Sequence, residues 1–221
     1  MKREQLARLI DHTLLKPDAT PAEIEQICEE ALEYQFASAC INPSYVPLAA
    51  AELGDTEIAV CAAIGFPLGA TTTTAKVCEA EQALSDGATE LDMVLHLGAL
   101  KAGERGRVEE DIAAVATVCH EGGALLKVII EAALLSDEEK VLACEIAQEA
   151  GADFVKTSTG FAASGAKVED VQLMRRTVSQ RIGVKAAGGI HSYEEALAMI
   201  EAGANRIGAS AGVQIVEGAP S

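Results

Sequence analysis

The sequence has no tryptophan, only four phenylalanines and three tyrosines, and no long apolar segment. Its apolar runs are interrupted by charged residues, glycine or proline well before the roughly 18 residues that a membrane-spanning helix needs, which excludes a membrane span. The first stretch, MKREQLARLIDHTLLKP, lacks a small-residue cleavage pattern and is typical of an amphipathic helix that leads into a strand, not of a signal peptide. We therefore expect a cytoplasmic protein that does not bind membranes.

Metal-binding patterns are also missing. The six cysteines are scattered along the chain without a CxxC pair, and no cluster of cysteine and histidine has the spacing of a metal site. Isolated cysteines usually serve as small buried apolar residues. We therefore expect no bound metal and no other cofactor, and we interpret Cys40 as a packing residue in preference to a catalytic one.

Basic residues are scarce, with 17 lysines and arginines against 34 aspartates and glutamates and a formal net charge of -17. Such a charge disfavours binding to nucleic acid or to anionic membranes. Any substrate that carries a phosphate must therefore be captured by a local site that acts against the field of the whole molecule. We expect small molecules as the partners of this protein.

The chain repeats one pattern of a helix, a glycine and a strand. Segments rich in alanine, glutamate and leucine end in glycine, which supplies the left-handed cap of a helix, and an apolar run follows at once. Several helix starts carry a Ser or Thr three residues before a glutamate, as in a capping box. The predicted strands are about 10–15, 36–41, 57–64, 89–95, 124–130, 152–157, 182–187 and 205–209, with helices about 21–35, 44–53, 72–86, 105–121, 137–150, 168–180 and 193–202 between them and a short closing helix.

Eight strands that alternate with helices favour a closed (β/α)8 barrel over an open doubly wound sheet, since near-continuous apolar strands suit a parallel sheet that helices cover. The length of 221 residues fits a single barrel, which commonly needs about 200 to 250 residues. We therefore predict an α/β protein with one TIM-barrel domain over residues 1–221 and a short N-terminal helix.

One lysine interrupts an apolar strand in the stretch DFVKTSTG, residues 153–160. Burying an ammonium group is costly unless the group is paired or deprotonated, and a lysine with a lowered pKa is a nucleophile towards carbonyl groups. For a single lysine, the ordinary interpretation is a buried ion pair or a side chain that reaches a polar rim. The case for a nucleophilic Lys156 depends on its neighbours.

Four successive strands carry a charged residue in their middle: Asp92, Lys127, Lys156 and Lys185. Each is one strand-plus-helix unit after the previous one, which places the four side chains next to each other around a barrel. Two ammonium groups about 5 Å apart repel by about 3 kcal/mol at an effective dielectric constant near 20, and desolvation also favours a neutral amine. The repulsion acts on both lysines, and we favour Lys156 as the nucleophile because hydroxyl residues follow it, whereas Lys185 leads into a glycine loop.

Two glycine loops follow strands seven and eight, where barrels commonly hold a phosphate group. Glycine allows backbone amides to approach a phosphate closely, and a serine hydroxyl adds a donor. Gly188, Gly189, Gly208 and Ser210 are therefore candidates for phosphate binding. Thr159 and Gly160, in the loop after Lys156, are candidates for binding the substrate or a water molecule.

The chain resembles the deoxyribose-phosphate aldolase family of class I, Schiff-base aldolases over essentially its whole length. The matching motifs are IDHTLLKPDAT (10–20), CINP (40–43), ELDMVLHLGAL (90–100), LKVIIE (126–131), ADFVKTSTGF (152–161), VKAAGGI (184–190) and RIGASAG (206–212).

The resemblance implies an aldehyde-lyase that reversibly cleaves 2-deoxy-D-ribose 5-phosphate to D-glyceraldehyde 3-phosphate and acetaldehyde, in the catabolism of deoxyribonucleotides and deoxyribose. It implies that Lys156 forms the Schiff base, that Lys185 perturbs Lys156, and that Asp92 is the acid/base group working with a water molecule. The four loop residues above match the family's phosphate loops, and no metal is required.

Three positions depart from the family pattern: His96 in place of an asparagine, His191 in place of a frequent arginine, and Ala211 in place of a second serine. The changes at His191 and Ala211 concern phosphate affinity more than the carbon chemistry. Among the remaining polar residues, we expect Asp11 to form hydrogen bonds at the first strand, with direct substrate contact as the alternative. Lys127 is expected to be an ion partner of Asp92 or Glu131.

Other functions remain open at this point. A different Schiff-base lyase on the same fold, such as a keto-acid aldolase, and a catalytically silent protein that binds sugar phosphates would both keep the barrel. An isomerase that uses a carboxylate and a histidine lacks a suitable pair in this sequence. A homodimer and a homotetramer are both compatible with it.

Overall fold

The structure, a computed structural model, describes residues 1–220 and contains one closed barrel of eight parallel strands. Each strand pairs with the next one along the chain, and β8 pairs with β1. The (β/α)8 prediction is therefore confirmed. The strands are β1 (Ile10–Leu14), β2 (Ser38–Ile41), β3 (Ala59–Ile64), β4 (Glu90–Val94), β5 (Leu125–Ile129), β6 (Phe154–Lys156), β7 (Gly183–Ala187) and β8 (Arg206–Ala209).

Helices surround the strands, and the seven helices with predicted bounds begin and end within three residues of the predicted positions. The helices are α1 (Arg3–Ala7), α2 (Pro21–Tyr34), α3 (Val46–Leu53), α4 (Thr73–Ser85), α5 (Leu97–Lys101), α6 (Arg105–Glu121), α7 (Asp137–Glu149), α8 (Val168–Thr177), α9 (Tyr193–Glu201) and α10 (Gly212–Glu217). The analysis of the sequence missed α5 and the 3-10 turn Ala132–Leu134, because segments this short show no helical period.

Local signals in the sequence explain several of these boundaries. The side chains of Thr20, Ser136 and Ser192 each accept a hydrogen bond from the backbone N–H three residues further on, which forms the capping boxes of α2, α7 and α9. After α9, Gly203 adopts a left-handed φ of 112°, and a Cβ there would lie 2.5 Å from Cγ of Arg175. Only glycine fits this turn without strain.

The apolar core lies between the barrel and its helices. Strand residues whose side chains point outwards, such as Ile41, Leu91, Val128 and Val155, are fully buried against the helical layer. The inward-facing residues alternate with them and are largely polar or charged. The interior of a (β/α)8 barrel is ordinarily filled by branched aliphatic residues, so an ionic interior marks this region as a functional one.

No described helix, within residues 1–220, combines the length and the apolar character that crossing a bilayer would require. The prediction of a single domain over residues 1–221 includes Ser221, which lies outside the described residues. This assignment stays a prediction.

Candidate active site

The centre of the barrel is an aspartate that contacts three lysines. Oδ2 of Asp92 lies 2.7 Å from Nζ of Lys156 and 2.7 Å from Nζ of Lys185, while Oδ1 lies 2.8 Å from Nζ of Lys127. The two ammonium groups on Oδ2 are therefore separated by no more than twice that distance. The structure brings together the four charged residues that the sequence analysis singled out.

Strand register explains this convergence. In the barrel, Asp92 is the direct neighbour of Lys127 across β4 and β5, and Lys156 is the direct neighbour of Lys185 across β6 and β7. Lys156 is paired with Ile129, two residues beyond Lys127, so it stands one inward-facing step closer to the carboxyl end of the strands. This stagger places Lys156 nearer the carboxyl ends of the strands than Lys127.

A second set of charges lies beneath the first. Asp11 contacts Nζ of Lys185 through Oδ2 and accepts hydrogen bonds from Arg206 at 2.6 Å and Ser38 at 2.7 Å through Oδ1. Glu90 contacts Lys127 at 2.6 Å and Arg206 at 3.1 Å. Asp11 is thus part of the buried network and does not face the cleft.

Two members of this network, Glu90 and Arg206, were missed by the sequence analysis. Glu90 precedes Asp92 by two residues in β4, and Arg206 precedes Gly208 by two residues in β8. Because alternate residues of a strand face the same side, this spacing is the signal that would have found both. Lys127 contacts Glu90 and Asp92 but forms no ion pair with Glu131 among the described residues, which corrects one of its two expected partners.

The network determines the charges of its members. Burial would raise the pKa of the Asp92 carboxyl, but Lys127, Lys156 and Lys185 hold that pKa well below its usual range. Burial also opposes a charged Lys185, yet the Asp11 and Asp92 carboxylates raise the pKa of Lys185 above its usual range. Lys185 is therefore a persistent cation. The prediction of repulsion between Lys156 and Lys185 was incomplete, because it did not include the carboxylates of Asp92 and Asp11, which lie between and below the two lysines.

A cleft of about 370 Å³ opens above the network at the carboxyl ends of the strands. Among the residues that the structure describes, Lys156 is the only member of the network in its lining, whereas Asp92, Lys185, Lys127 and Asp11 lie beneath its floor. The lining also contains the other predicted binding residues, Thr159, Gly160, Gly188, Gly189, Gly208 and Ser210.

Hydroxyl groups hold the loop that follows Lys156. The Thr157 side chain donates to the carbonyl of Ala187 at 3.1 Å and accepts from the backbone N–H of Ala187 at 3.0 Å. The Thr159 hydroxyl donates to Oε2 of the buried Glu131. This oxygen also accepts a hydrogen bond from the Thr159 backbone N–H at 3.2 Å. From the sequence, Glu131 was expected only as a possible ion partner of Lys127.

The glycine loops shape the part of the cleft beside this threonine loop, since a Cβ on Gly188 would lie 3.4 Å from Cα of Gly160. Gly188 and Gly189 have left-handed φ angles of 88° and 74°, and their backbone N–H groups find no acceptor within residues 1–220. A Cβ on Gly208 would lie 2.9 Å from Cβ of Ala187 and 3.0 Å from Cε of Lys185, so a larger residue would disturb the floor. Free amides next to the Ser210 hydroxyl suit an anionic group.

Charge in the cleft is opposite in sign to that of the whole molecule. Its lining includes Lys16, Lys156 and His191 and, within the described chain, no carboxylate. Lys16 lies in the loop after β1, next to the loop after β8 that carries Ser210. The sequence analysis missed Lys16, because an exposed lysine beside a proline carries no signal of its own.

The three departures from the family pattern have different surroundings. His191 lines the cleft, and its backbone N–H donates to Glu195 at 2.7 Å. Ala211 is the residue before α10 and lies outside the lining. The His96 side chain accepts a hydrogen bond from the Ala99 backbone N–H at 3.2 Å. The histidine at this position therefore caps the start of α5.

Two cysteines face the same aspartate inside the barrel. Sγ of Cys40 lies 3.8 Å from Oδ2 and Sγ of Cys61 lies 3.2 Å from Oδ1 of Asp92. The three donor atoms lie within 4.8 Å of one another, as in a small metal site. A divalent cation does not fit here, because the carboxylate already contacts three ammonium groups that would repel it. Cys40 is buried and lies outside the cleft lining.

A closed (β/α)8 barrel that buries a lysine pair on a carboxylate, with one amine open to a cleft at the carboxyl ends of its strands, defines the class of aldolases that work through an amine on the protein. Comparison with known proteins gives the family. Residues 6–218 match the model of the DeoC/LacD family aldolases, and the chain belongs to this family.

Proteins of similar sequence match this chain over nearly its whole length. The deoxyribose-phosphate aldolase of Caldanaerobacter subterraneus subsp. tengcongensis is 60% identical, covering 98% of this chain and 96% of the relative. That of Thermococcus kodakarensis is 59% identical, covering 100% and 99%. Among solved structures, the tetrameric deoxyribose phosphate aldolase from Aeropyrum pernix has a TM-score of 0.90 and 37% identity, covering 98% of this chain and 91% of that one.

Proposed function

We propose that this protein is a class I aldolase that reversibly cleaves 2-deoxy-D-ribose 5-phosphate to D-glyceraldehyde 3-phosphate and acetaldehyde, in the catabolism of deoxyribose and deoxyribonucleotides. One observation carries the proposal: Lys156 emerges from a buried ionic network into the floor of a cleft whose rim carries two glycine loops. Full-length relatives with that activity in their names support it.

The reaction begins at Lys156. Its neutral amine attacks the C1 aldehyde of the open-chain sugar, and loss of water from the carbinolamine gives an iminium ion that acts as an electron sink. Removal of the proton from the C3 hydroxyl then breaks the C2–C3 bond, and D-glyceraldehyde 3-phosphate leaves. The enamine that remains on Lys156 is reprotonated at C2, and hydrolysis of the imine releases acetaldehyde.

Asp92 and Lys185 supply the electrostatic setting of these steps. Lys185 is held as a cation and opposes a positive charge on Lys156 before the attack. Lys127 and Lys185 keep Asp92 ionised, so its carboxylate stabilises the positive charge of the iminium on Lys156 and is in the form that can accept a proton. Asp92 is thereby suited to move protons through a water molecule, since it lies beneath the floor of the cleft.

The glycine loops and the cationic rim provide the phosphate site. The amides of Gly188 and Gly189 and the hydroxyl of Ser210 donate to the phosphate oxygens, and Lys16 contributes charge from the neighbouring loop after β1. Lys156 and this site line the same cleft, so one substrate molecule can span both.

The setting of the reaction follows from its chemistry. A phosphate-bearing sugar is charged and does not cross a lipid bilayer, so we assign the enzyme to the cytoplasm, where such substrates are retained. We also propose a homodimer or a homotetramer; the tetrameric relative from Aeropyrum pernix supports assembly. Light scattering of the purified protein measures this directly.

Trapping of the imine tests the proposal. Acetaldehyde and borohydride should leave a two-carbon adduct on Lys156, located by mass spectrometry of peptides. Lys156→Ala should abolish both the adduct and cleavage of 2-deoxyribose 5-phosphate, whereas the exposed Lys167→Ala should change neither. An adduct with pyruvate but not with acetaldehyde would indicate a keto-acid aldolase, and substrate binding without turnover would indicate a silent binding protein.

A further inference from the structure

The buried carboxylate of Glu131, in the loop after β5, forms hydrogen bonds with Thr159, in the loop that follows Lys156 and β6. Glu131 is 3% exposed, and its Oε2 accepts hydrogen bonds from both the backbone N–H and the hydroxyl of Thr159. The next residue, Ala132, donates its backbone N–H to the carbonyl of Thr157 at 2.8 Å. The loop after β5 therefore fixes the loop after β6 through side-chain and backbone contacts.

Glu131 occupies this place at a cost. Its φ is 51°, in the left-handed region that a residue with a Cβ rarely adopts. Its second oxygen, Oε1, is buried and has no hydrogen-bond partner in the described part of the chain. A strained backbone and a half-paired buried carboxylate both oppose stability. Such a residue is better explained by what it does to Thr159 than by a contribution to folding.

The hydrogen bonds around Thr159 determine what its hydroxyl offers to the cleft. Because a carboxylate oxygen only accepts hydrogen bonds, the hydroxyl proton of Thr159 is directed to Oε2 of Glu131, which also accepts the Thr159 backbone N–H. The backbone N–H of Phe161 donates to the Thr159 oxygen at 3.1 Å. A threonine oxygen has one proton and two acceptor sites, so a single acceptor site remains. Towards the cleft, Thr159 can only accept a hydrogen bond.

We propose that Glu131 is a positioning residue that presents Thr159 as a hydrogen-bond acceptor to a hydroxyl of the phosphorylated three-carbon half of the substrate. This inference rests on the proposed aldolase function. It adds a determinant of specificity: a site with an obligatory acceptor rejects an analogue that lacks the matching hydroxyl, since the buried acceptor would then be left without a partner.

The two halves of the reaction separate this role from general support of the loop. Exchange of the methyl hydrogens of acetaldehyde with deuterium from D2O requires Lys156, the imine and the enamine, but no hydroxyl of the departing half. Cleavage of 2-deoxyribose 5-phosphate requires both. Glu131→Ala should therefore lower kcat/KM for cleavage by about 30- to 100-fold and change acetaldehyde exchange by less than about 3-fold.

A series of variants distinguishes the hydrogen bond from the space that it occupies. Glu131→Gln keeps an acceptor oxygen and should recover most of the cleavage rate. Thr159→Val should reproduce the defect of Glu131→Ala, and Thr159→Ser should not. Since the two residues act through one hydroxyl, the loss in the double variant Glu131→Ala with Thr159→Val should be well below the product of the single losses. Glu145→Ala, an exposed glutamate on α7, is the control.

Each other outcome is decisive. If Glu131→Ala slows exchange and cleavage by the same factor, Glu131 supports imine formation in general and the proposal is wrong. Unchanged cleavage would also overturn it. Where Glu131→Ala does not fold by circular dichroism, the comparison of Thr159→Val with Thr159→Ser carries the same test. A wild-type protein that exchanges acetaldehyde but does not cleave the sugar phosphate would refute the proposed function itself.

Discussion

Three lysines in the centre of the barrel show that the contacts of a side chain, and not its type, decide its chemistry. Lys127 and Lys185 each contact at least two carboxylates and are enclosed on all sides. Within residues 1–220, Asp92 is the one carboxylate that Lys156 contacts, and Lys156 has one face on the cleft. A neutral Lys156 therefore leaves fewer carboxylates unpaired than a neutral form of either other lysine. The same asymmetry gives only Lys156 access to a carbonyl substrate.

The first prediction concerns Lys185→Leu. Removal of this cation leaves Asp92 with more uncompensated negative charge, which favours the charged form of Lys156. The acid limb of the kcat/KM profile should therefore move upwards by about one to two pH units. The pH dependence of 2-deoxyribose 5-phosphate cleavage measures this shift.

A charge-retaining substitution is the control for that prediction. Lys185→Arg keeps a cation beside Asp11 and Asp92 and should move the acid limb less, although its larger head group lowers the rate. Circular dichroism and the urea midpoint show whether each variant is folded. An acid limb that stays in place in a folded Lys185→Leu would remove the argument that one lysine tunes the other.

Among the secondary-structure elements, the loops after β6 and β7 form a single unit. The backbone N–H of Ala166 donates to the carbonyls of Ala187 and Gly188 at 3.1 and 3.0 Å. A Cβ at Gly165 would overlap the carbonyl of Gly188. The position of the Gly188 and Gly189 amides, which we propose to bind the phosphate, therefore depends on a glycine that lies outside the cleft lining.

The second prediction is that Gly165→Ala weakens phosphate binding. The added methyl group must displace Gly188, so KM for 2-deoxyribose 5-phosphate should rise by about 10-fold, with a loss of about 1–3 kcal/mol in the free energy of unfolding. Gly106→Ala is the matched control, because nothing lies within 4 Å of a Cβ at that position. Steady-state kinetics and urea unfolding measure both effects, and an unchanged KM would show that the two loops move independently.

At the scale of the whole molecule, charge and function oppose each other. The net charge of -17 keeps the protein soluble but repels a phosphorylated sugar. The cleft compensates locally, because its described lining has Lys16, Lys156 and His191 and lacks carboxylates. Lys16 and His191 are the exposed members of this group, and the Lys16 ammonium is available to meet an incoming phosphate.

The third prediction is that Lys16→Gln raises KM for 2-deoxyribose 5-phosphate by about 5- to 10-fold at low salt and leaves kcat/KM for unphosphorylated 2-deoxyribose unchanged. The difference from wild type should shrink as ionic strength increases, since salt screens an exposed charge. Lys101→Gln removes an exposed lysine that contacts Glu139 away from the cleft and should have no effect. Equal changes with both sugars would contradict a phosphate role.

The barrel and the principal residues of the site could be predicted because they depend on patterns along the chain. Helix-capping serines, apolar strands and one charge per strand-plus-helix unit are local signals, and parallel order around a ring converts them into the neighbourhood of Asp92, Lys127, Lys156 and Lys185. Glu90 and Arg206 were accessible to the same reasoning through their two-residue spacing. Their partners were not, since a pairing across β4 and β8 depends on the diameter of the closed barrel.

No local sequence pattern of this kind predicts the roles of Glu131 and Lys16. Nothing in the residues around Glu131 predicts a left-handed backbone, and nothing near Lys16 indicates that its side chain lines the cleft. The sequence alone determined the eight-fold alternation, the buried lysines and the family, because periodicity, capping and motifs act over short distances. Only the tertiary structure decided which lysine reaches the cleft and which carboxylates hold the others charged, since desolvation and ion pairing depend on distances between strands that are far apart in the chain.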